Sequence, residues 1–153
     1  GKALIWRHIS EMDMSKLETP RPYKQVLDRL RGAGLRPTRQ RLALAKMLLE
    51  GPDRHVTAEI LHAEAQAASI RVSLATVYNT LHQFTAAGLL REIVVDSQRS
   101  YFDTNTSDHH HFFFEGSNRL DDIPGDQVVV ASMPPPPAGA KVKRVDIVIR
   151  LEE

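Results

Sequence analysis

The spacing of apolar residues changes once along this chain, close to residue 89. Before that point, four segments repeat their apolar side chains every three or four positions, as amphipathic helices do. Thr38, Thr57 and Ser73 each precede one of these segments and can cap it. After that point, Leu90 to Val95 and Ser100 to Asp103 are β-prone stretches joined by a polar turn. Four helices followed by a hairpin predict an α+β fold that begins with a winged helix-turn-helix domain.

The segment after residue 104 predicts a second, smaller α/β unit. His109 to Glu115, Arg119 to Ile123 and Val142 to Leu151 are typical of strands, and Pro134 to Pro137 form a stiff connector that no helix can pass through. About 45 residues bury too little core to be stable alone, so we expect this unit to dimerise with a second copy. The predicted divisions are an N-terminal tail (1–20), a winged-helix domain (21–104) and a dimerisation domain (105–153).

Composition excludes several classes of protein. The chain has no cysteine, which excludes a disulfide scaffold, a thiolate zinc site, an iron–sulfur site and a cysteine nucleophile. No apolar run approaches the roughly 18–20 residues of a membrane-spanning helix, and Gly1 to Ser10 lacks the apolar core of a signal peptide. We therefore expect a soluble, cytoplasmic protein without a membrane partner.

Charge is distributed unevenly along the chain. Residues 21–92 carry 11 Lys and Arg against 6 Asp and Glu, a net charge of +5, whereas residues 93–153 carry 6 against 10, a net charge of −4. A basic first part joined to an acidic second part favours a polyanion-binding module fused to a cation-binding one. Uneven surface charge without any partner is the alternative.

The fourth predicted helix carries side chains suited to reading DNA. The apolar stripe that we expect to face inward consists of Leu74, Val77, Leu81 and Phe84. The opposite face then carries short polar groups able to reach base edges or phosphates, namely Thr76, Asn79, Thr80 and Gln83. Tyr78 borders the apolar stripe, so a core position and a base contact are both open. Arg36, Arg39 and Arg41 cluster at the start of the second helix, where a phosphate would also meet free backbone N–H groups.

The most chemically distinctive segment is the run from Asp108 to His111. In a strand, His109 and His111 project from the same face, about 7 Å apart, so that they can bind one metal ion or approach one haem iron. His55, Asp103 and Asp122 are candidates to complete a shell of nitrogen and oxygen ligands, which suits Zn, Fe or Mn. A solvated histidine-rich loop is the alternative interpretation.

Several segments also follow one another in a recognisable order. They are Leu35 to Arg41, His55 to Glu59, Ser73 to Leu81, Gln83-Phe84 with Ala87 to Leu89, and the cluster at His109. Together they resemble the ferric uptake regulator family over residues 21–123. The stretch SLATVYNTLHQF, the triple histidine and the lack of cysteine are most similar to the haem-responsive iron response regulator branch of α-proteobacteria.

The resemblance implies a homodimeric, iron- or haem-responsive regulator of iron-homeostasis genes, with no catalytic residues, that binds AT-rich palindromic operators in double-stranded DNA. Three ligand sets are implied in its metal- and haem-sensing C-terminal domain and at the hinge: a regulatory metal site (His55, Asp103, His109, His111, Asp122), a haem site (His109, His110, His111) and a weak second metal site (Asp108, His110). The implied DNA-binding residues are Arg36, Arg39, Arg41, Ser73, Thr76, Tyr78 and Asn79.

The chain also departs from the family pattern. Phe114 and Ser117 occupy the positions of the first CxxC pair, so no structural cysteine-bound zinc is expected. Asp103 and Asp122 stand where the family usually has glutamate, and Asn79 stands where arginine is frequent.

Three other functions stay open at the sequence level. A family member that answers directly to Zn, Mn or Fe without haem is the nearest alternative. A passive metal or haem carrier predicts equal binding to operator and random DNA. A metal-dependent hydrolase is disfavoured because Glu115, four residues after His111 on a strand, does not have the helical spacing of a catalytic base in such enzymes. No motif indicates a nucleotide ligand.

Overall fold

The computed structural model describes residues 23–153, and the predicted tail of residues 1–20 lies outside them. The chain divides into two compact units, of which the first ends at Thr106 and the second runs from Ser107 to Glu153. Within residues 23–153, no helix combines the length and the apolar character that crossing a membrane requires.

Between residues 23 and 106, the first unit contains four helices. They are α1 (Lys24–Gly32), α2 (Arg39–Leu49), α3 (Ala58–Ala67) and α4 (Leu74–Ala86). Their apolar faces meet in one core that includes Leu30, Leu44, Leu61, Leu81 and Phe84, all fully buried. Each such side chain contributes about 1.5–3 kcal/mol when it leaves water, so this core fixes how the helices pack.

The predicted N-caps of three helices are confirmed. The side-chain oxygen of Thr38 accepts a hydrogen bond from the backbone N–H of Arg41, and Thr57 accepts one from Ile60 in the same way. Ser73 likewise caps α4. Because each cap bonds to a residue only three positions away, it can be predicted from the local sequence alone.

A tight turn joins α3 to α4. Ser69 takes a φ of 60°, and the backbone N–H of Ile70 donates to the carbonyl of Ala65 at 2.9 Å, which closes the end of α3. This turn makes α3 and α4 a helix-turn-helix pair, with α4 as the second helix.

A three-stranded antiparallel sheet completes the first unit. It consists of β1 (His55–Val56), β2 (Arg91–Asp96) and β3 (Arg99–Asp103), with β3 in the centre. The hairpin of β2 and β3 matches the prediction of two strands after α4, and β1 adds a short third strand that the sequence analysis did not include. Together with the four helices, this sheet forms the predicted winged helix-turn-helix.

The second unit is built on another three-stranded sheet. It contains β4 (His109–Phe114), β5 (Arg119–Pro124) and β6 (Val148–Leu151), with β4 in the centre. β5 pairs with β4 in antiparallel fashion, whereas β6 pairs in parallel. Its helical content is one 3-10 turn at Gly125–Gln127.

The predicted strand from Val142 to Leu151 forms only over its last four residues. Residues 128–147 carry no helix or strand. Pro134 to Pro137 lack the backbone donors that a ladder needs, and Lys141 and Lys143 are exposed charged residues that favour solvent over a sheet. Strand pairing with β4 is made by Val148–Leu151.

Candidate metal centre and nucleic-acid interface

Two histidines of β4 form the centre of the candidate metal site. His109 and His111 alternate along the central strand and therefore share one face of the sheet. Both are almost fully buried, at 4% and 2% exposure. Their ring centroids lie 4.6 Å apart, closer than the expected separation of about 7 Å along the strand, because the rings lean toward each other.

Asp122 brings a carboxylate to the same pair. It is the cross-strand partner of His111 in β5, which places both side chains on one face. Its Oδ1 lies 3.2 Å from Nε2 of His111 and 3.6 Å from Nε2 of His109. The three residues each place one ligand atom within 4.8 Å of the others. Donors that bind one Zn²⁺ at about 2.0–2.2 Å in tetrahedral geometry lie about 3.3–3.6 Å from one another, so this triad fits a metal ion.

The carbonyl of Ser107 determines how His109 can act. Nδ1 of His109 lies 2.7 Å from this oxygen. A carbonyl only accepts, so Nδ1 carries the proton and Nε2 of the neutral ring keeps its lone pair. Metal-binding histidines are oriented in this way by a hydrogen bond from their second nitrogen. No sequence pattern indicates Ser107, because it acts through a backbone carbonyl, which every residue has.

A glycine allows β5 to end close to the start of β4. A Cβ on Gly125 would lie 2.6 Å from the carbonyl oxygen of Asp108, a distance that side chains do not tolerate. Gly125 follows Pro124, the cross-strand partner of His109. The close approach therefore keeps the end of β5 beside the histidines.

The remaining two residues of the predicted site, His55 and Asp103, lie in the first unit. They are cross-strand partners on β1 and β3. Asp103 is fully buried and its Oδ1 accepts a hydrogen bond from the backbone N–H of Asn105 at 2.9 Å. Beside them, Thr104 and Arg54 exchange backbone and side-chain hydrogen bonds that hold β1 against β3. The structure thus forms a pair in one unit and the triad in the other.

The weak second site receives no comparable arrangement. His110 lies on the opposite face of β4 from the triad, and its Nδ1 accepts a hydrogen bond from the backbone N–H of Ile147 at 3.2 Å. The neutral ring then carries its proton on Nε2, so neither nitrogen offers a free lone pair in this arrangement. Asp108 is exposed and precedes the strand.

Helix α4 buries Val77, Leu81 and Phe84 and exposes Asn79 and Gln83 as expected, with two exceptions. Leu74, expected to face inward, is 36% exposed, and Thr80, expected to face outward, is buried at 4%. The exposed face carries Tyr78, at 37% exposure, together with Asn79 and Gln83. The prediction that Leu74 faces inward was wrong because Leu74 lies at the start of α4, before the part of the helix that the core covers.

Arg41 uses its guanidinium within the first unit. Its Nε and Nη2 donate to the side-chain oxygen of Gln83 at 3.2 and 3.0 Å, and its Nη1 donates to the carbonyl of Arg36 at 2.8 Å. The start of α2 is therefore tied to the last turns of α4. Arg36 and Arg39 are exposed.

Tyr78 makes a contact that the sequence analysis missed. Its hydroxyl donates to Oε1 of Glu59, in the first turn of α3, at 2.6 Å. This hydrogen bond lowers the pKa of Glu59 and raises the pKa of Tyr78. The two residues are 19 positions apart in sequence, and no local pattern indicates that they meet.

Comparison with known proteins identifies the family. Residues 32–149 match the model of the Ferric uptake regulator family, which is most of the chain. The chain belongs to the ferric uptake regulator family.

Curated relatives match over part of their length. This family member is 36% identical over 86 residues to the peroxide operon regulator of Bacillus subtilis, covering 56% of this chain and 59% of that protein. It is 40% identical over 80 residues to the ferric uptake regulation protein of Pseudomonas aeruginosa, covering 52% and 60%. The chain therefore spans about three fifths of the length of these relatives.

Solved structures match over more of the chain. The ferric uptake regulator from Pseudomonas aeruginosa, solved with manganese, shares 25% identity at a TM-score of 0.64, covering 83% of this chain and 96% of that one. The ferric uptake regulator of Vibrio cholerae shares 20% identity at a TM-score of 0.63, covering 82% and 97%, and shows the fold alone. The α+β fold, with a winged helix-turn-helix followed by a dimerisation-type unit, is thus confirmed.

Proposed function

We propose that this chain is a metal-responsive transcriptional regulator, and not an enzyme, that binds double-stranded operator DNA as a homodimer. The observation that carries the proposal is the triad of His109, His111 and Asp122, in which two buried imidazoles share one carboxylate oxygen. Such a donor set suits a divalent Fe, Mn or Zn ion. Membership of the ferric uptake regulator family and the helix-turn-helix of α3 and α4 support the DNA-binding part. Location in the cytoplasm stays a prediction.

We include His55 and Asp103 among the metal ligands of the proposal. The support is their family resemblance, their pairing across β1 and β3, and the short connection between Asp103 and His109. Six residue steps separate these two positions along the chain, a span of at most about 20 Å. An ion that binds ligands from both units supplies a crosslink between them. Because two helix-turn-helix pairs must enter successive major grooves together, such a crosslink controls operator affinity.

The proposed DNA contacts divide by chemistry. Residues of α4 and its cap face base edges or the adjacent phosphates: Ser73, Thr76, Tyr78 and Asn79. Arg36 and Arg39 are exposed and suited to phosphates, whereas Arg41 is proposed to act on DNA mainly by positioning α4, since it donates to Gln83 and Arg36. The preference for AT-rich palindromes rests on the family resemblance.

Haem is a second proposed signal at the same cluster. Its support is the run of three histidines and the resemblance to the haem-responsive branch. The residues that would hold haem are His109, His110 and His111, as the resemblance implies, and haem would supply an iron that imidazole nitrogens can ligate. A difference absorption spectrum after haem addition, compared between wild type and H111A, tests this part. An unchanged spectrum leaves a regulator that answers to the metal alone.

The test of the main proposal is a binding titration. An operator is selected from a random duplex library in the presence of Mn²⁺, and fluorescence anisotropy then measures its Kd with Mn²⁺ and with chelator. We expect metal to tighten operator binding by at least tenfold, about 1.4 kcal/mol, and binding to follow dimer stoichiometry.

Two controls separate the parts of this proposal. H111A is expected to bind the operator, with or without metal, at the Kd that wild type shows in the presence of chelator. A change below about threefold in wild type, under 1 kcal/mol, contradicts metal regulation. Equal affinity for operator and scrambled duplex instead favours a passive metal carrier.

A further inference from the structure

The hydrogen bond between Tyr78 and Glu59 connects α3 and α4, the two helices of the helix-turn-helix, on their solvent-exposed side. The phenol O–H donates to Oε1 of Glu59 at 2.6 Å. Both side chains are exposed, Tyr78 at 37%. A single exposed polar contact contributes little to the free energy of unfolding. The main effect that we consider is therefore on the position of the Tyr78 side chain.

The ring of Tyr78 also lies beside the ring of His82. His82, one helical turn later, stacks on it with ring centroids 6.5 Å apart and planes inclined by 19°. His82 in turn meets the buried ring of Phe102 edge-on at 5.5 Å. Glu59 therefore binds the Tyr78 hydroxyl and His82 lies beside the Tyr78 ring, so both neighbours favour the observed orientation on the exposed face of α4.

We infer that Glu59 is a specificity-determining positioning residue for DNA recognition. This inference rests on the proposed function. The Glu59 carboxylate orients the Tyr78 ring toward base edges, and its negative charge also repels the phosphate backbone of any duplex. The first effect raises the preference for the correct sequence, because a base contact depends on geometry. The second weakens binding to all sequences alike, because phosphate attraction carries no sequence information.

The low net charge of the surrounding segment makes the repulsion between Glu59 and phosphate significant. Residues 21–92 have a net charge of only +5, so one carboxylate beside the reading helix offsets a substantial share of the attraction to phosphate. Fixing one base-facing side chain raises the ratio of the two affinities, whereas the charge lowers both affinities together and leaves that ratio unchanged.

Four variants separate orientation from charge. In E59Q, the amide oxygen can still accept from Tyr78 but the charge is gone. In E59A, both are gone, and in Y78F only the hydroxyl is lost. D28N is the matched control, since it removes one negative charge from α1, where Asp28 pairs with Lys24 instead of with α4. Circular dichroism and thermal unfolding confirm that each variant folds.

The measurements are the Kd for operator and scrambled duplex, in metal-loaded protein, and their salt dependence. For E59Q we expect about threefold tighter binding to both duplexes, a salt slope steeper by up to about 0.9, and an unchanged ratio of the two Kd values. For E59A and Y78F we expect that ratio to fall about fivefold. D28N should change neither the ratio nor the salt slope as E59Q does.

Each other outcome has a distinct meaning. If E59A keeps the wild-type ratio of Kd values while wild type prefers its operator, the inference is overturned and the proposed function stands. If E59Q lowers the ratio as much as E59A, charge and not orientation is the cause, and the positioning role is overturned. If wild type shows no operator preference, the proposed function fails and the inference fails with it.

Discussion

At the scale of single residues, the proposed metal site is arranged around one oxygen atom. Oδ1 of Asp122 lies within 3.6 Å of two imidazole nitrogens, and one of those rings is fixed by the carbonyl of Ser107. The Asp122 carboxylate and the Nε2 lone pair of His109 are both acceptors, so a cation between them can bind both.

The first prediction at this scale concerns Asp122. D122A should weaken Mn²⁺ or Zn²⁺ binding by about 10–100-fold, as measured by competition with a metal-indicator dye. D121A is the matched control, because Asp121 points to the other face of β5 and pairs with Arg119 at 3.2 Å. Equal losses in the two variants would mean that general negative charge, and not the geometry of the triad, attracts the ion.

Sequence alone predicted the residues whose positions depend on near neighbours. The caps at Thr38, Thr57 and Ser73 and the shared face of His109 and His111 follow from spacings of two or three positions. Asp122 was among the candidates as a carboxylate that could complete the ligand set and as a position that the family resemblance implies. Ser107 and Glu59 were missed, since one acts through its backbone and the other meets Tyr78 only after α3 and α4 have packed.

At the scale of elements, side-chain hydrogen bonds connect α2 to α4. Arg41 at the start of α2 donates twice to the side chain of Gln83 on α4 and once to the carbonyl of Arg36. The pairing of one arginine with a glutamine oxygen specifies a rotational setting of α4 that apolar contacts alone leave less defined.

A double-mutant cycle measures the coupling energy between Arg41 and Gln83. We expect R41A and Q83A each to lower the free energy of unfolding in urea, with a coupling energy of about 0.5–1 kcal/mol because the pair is exposed. Additive losses would show that the two side chains act independently. K24A offers a comparison, since it removes another exposed cation of the same unit, one that pairs with Asp28.

Element boundaries were predictable only where the pairing is local. The hairpin of β2 and β3 was predicted because its two strands are adjacent in sequence, whereas β1 is too short to have a pattern of its own. The strand predicted from Val142 forms only from Val148, because its partner β4 lies far back in the chain and sets where pairing begins. Local β-propensity holds no information about such a limit.

For the whole molecule, the central fact is that the proposed ligands divide between two compact units. His55 and Asp103 are paired in the first unit, and His109, His111 and Asp122 are brought together in the second. A metal that uses only the triad affects one unit, whereas a metal that uses all five residues affects both.

Hydrogen exchange distinguishes these two cases. With Mn²⁺ at 100 times its Kd, we expect amides of β4 and β5 that exchange by unfolding to slow by up to about 100-fold. If His55 and Asp103 are ligands, amides of β1 and β3 slow as well, and H55A abolishes that second effect while it spares much of the first. Protection confined to β4 and β5 in wild type would restrict the site to the triad.

The mixed pairing within the second sheet also has a consequence for how the sheet assembles. β4 reaches β5 across the short turn 115–118, but it reaches β6 only across the whole of 115–147. The longer closure costs about 2 kcal/mol more in chain entropy, so the antiparallel hairpin forms early and the parallel strand docks afterwards. During refolding the edge of β4 opposite β5 therefore stays hydrated until the final segment returns to pair with it.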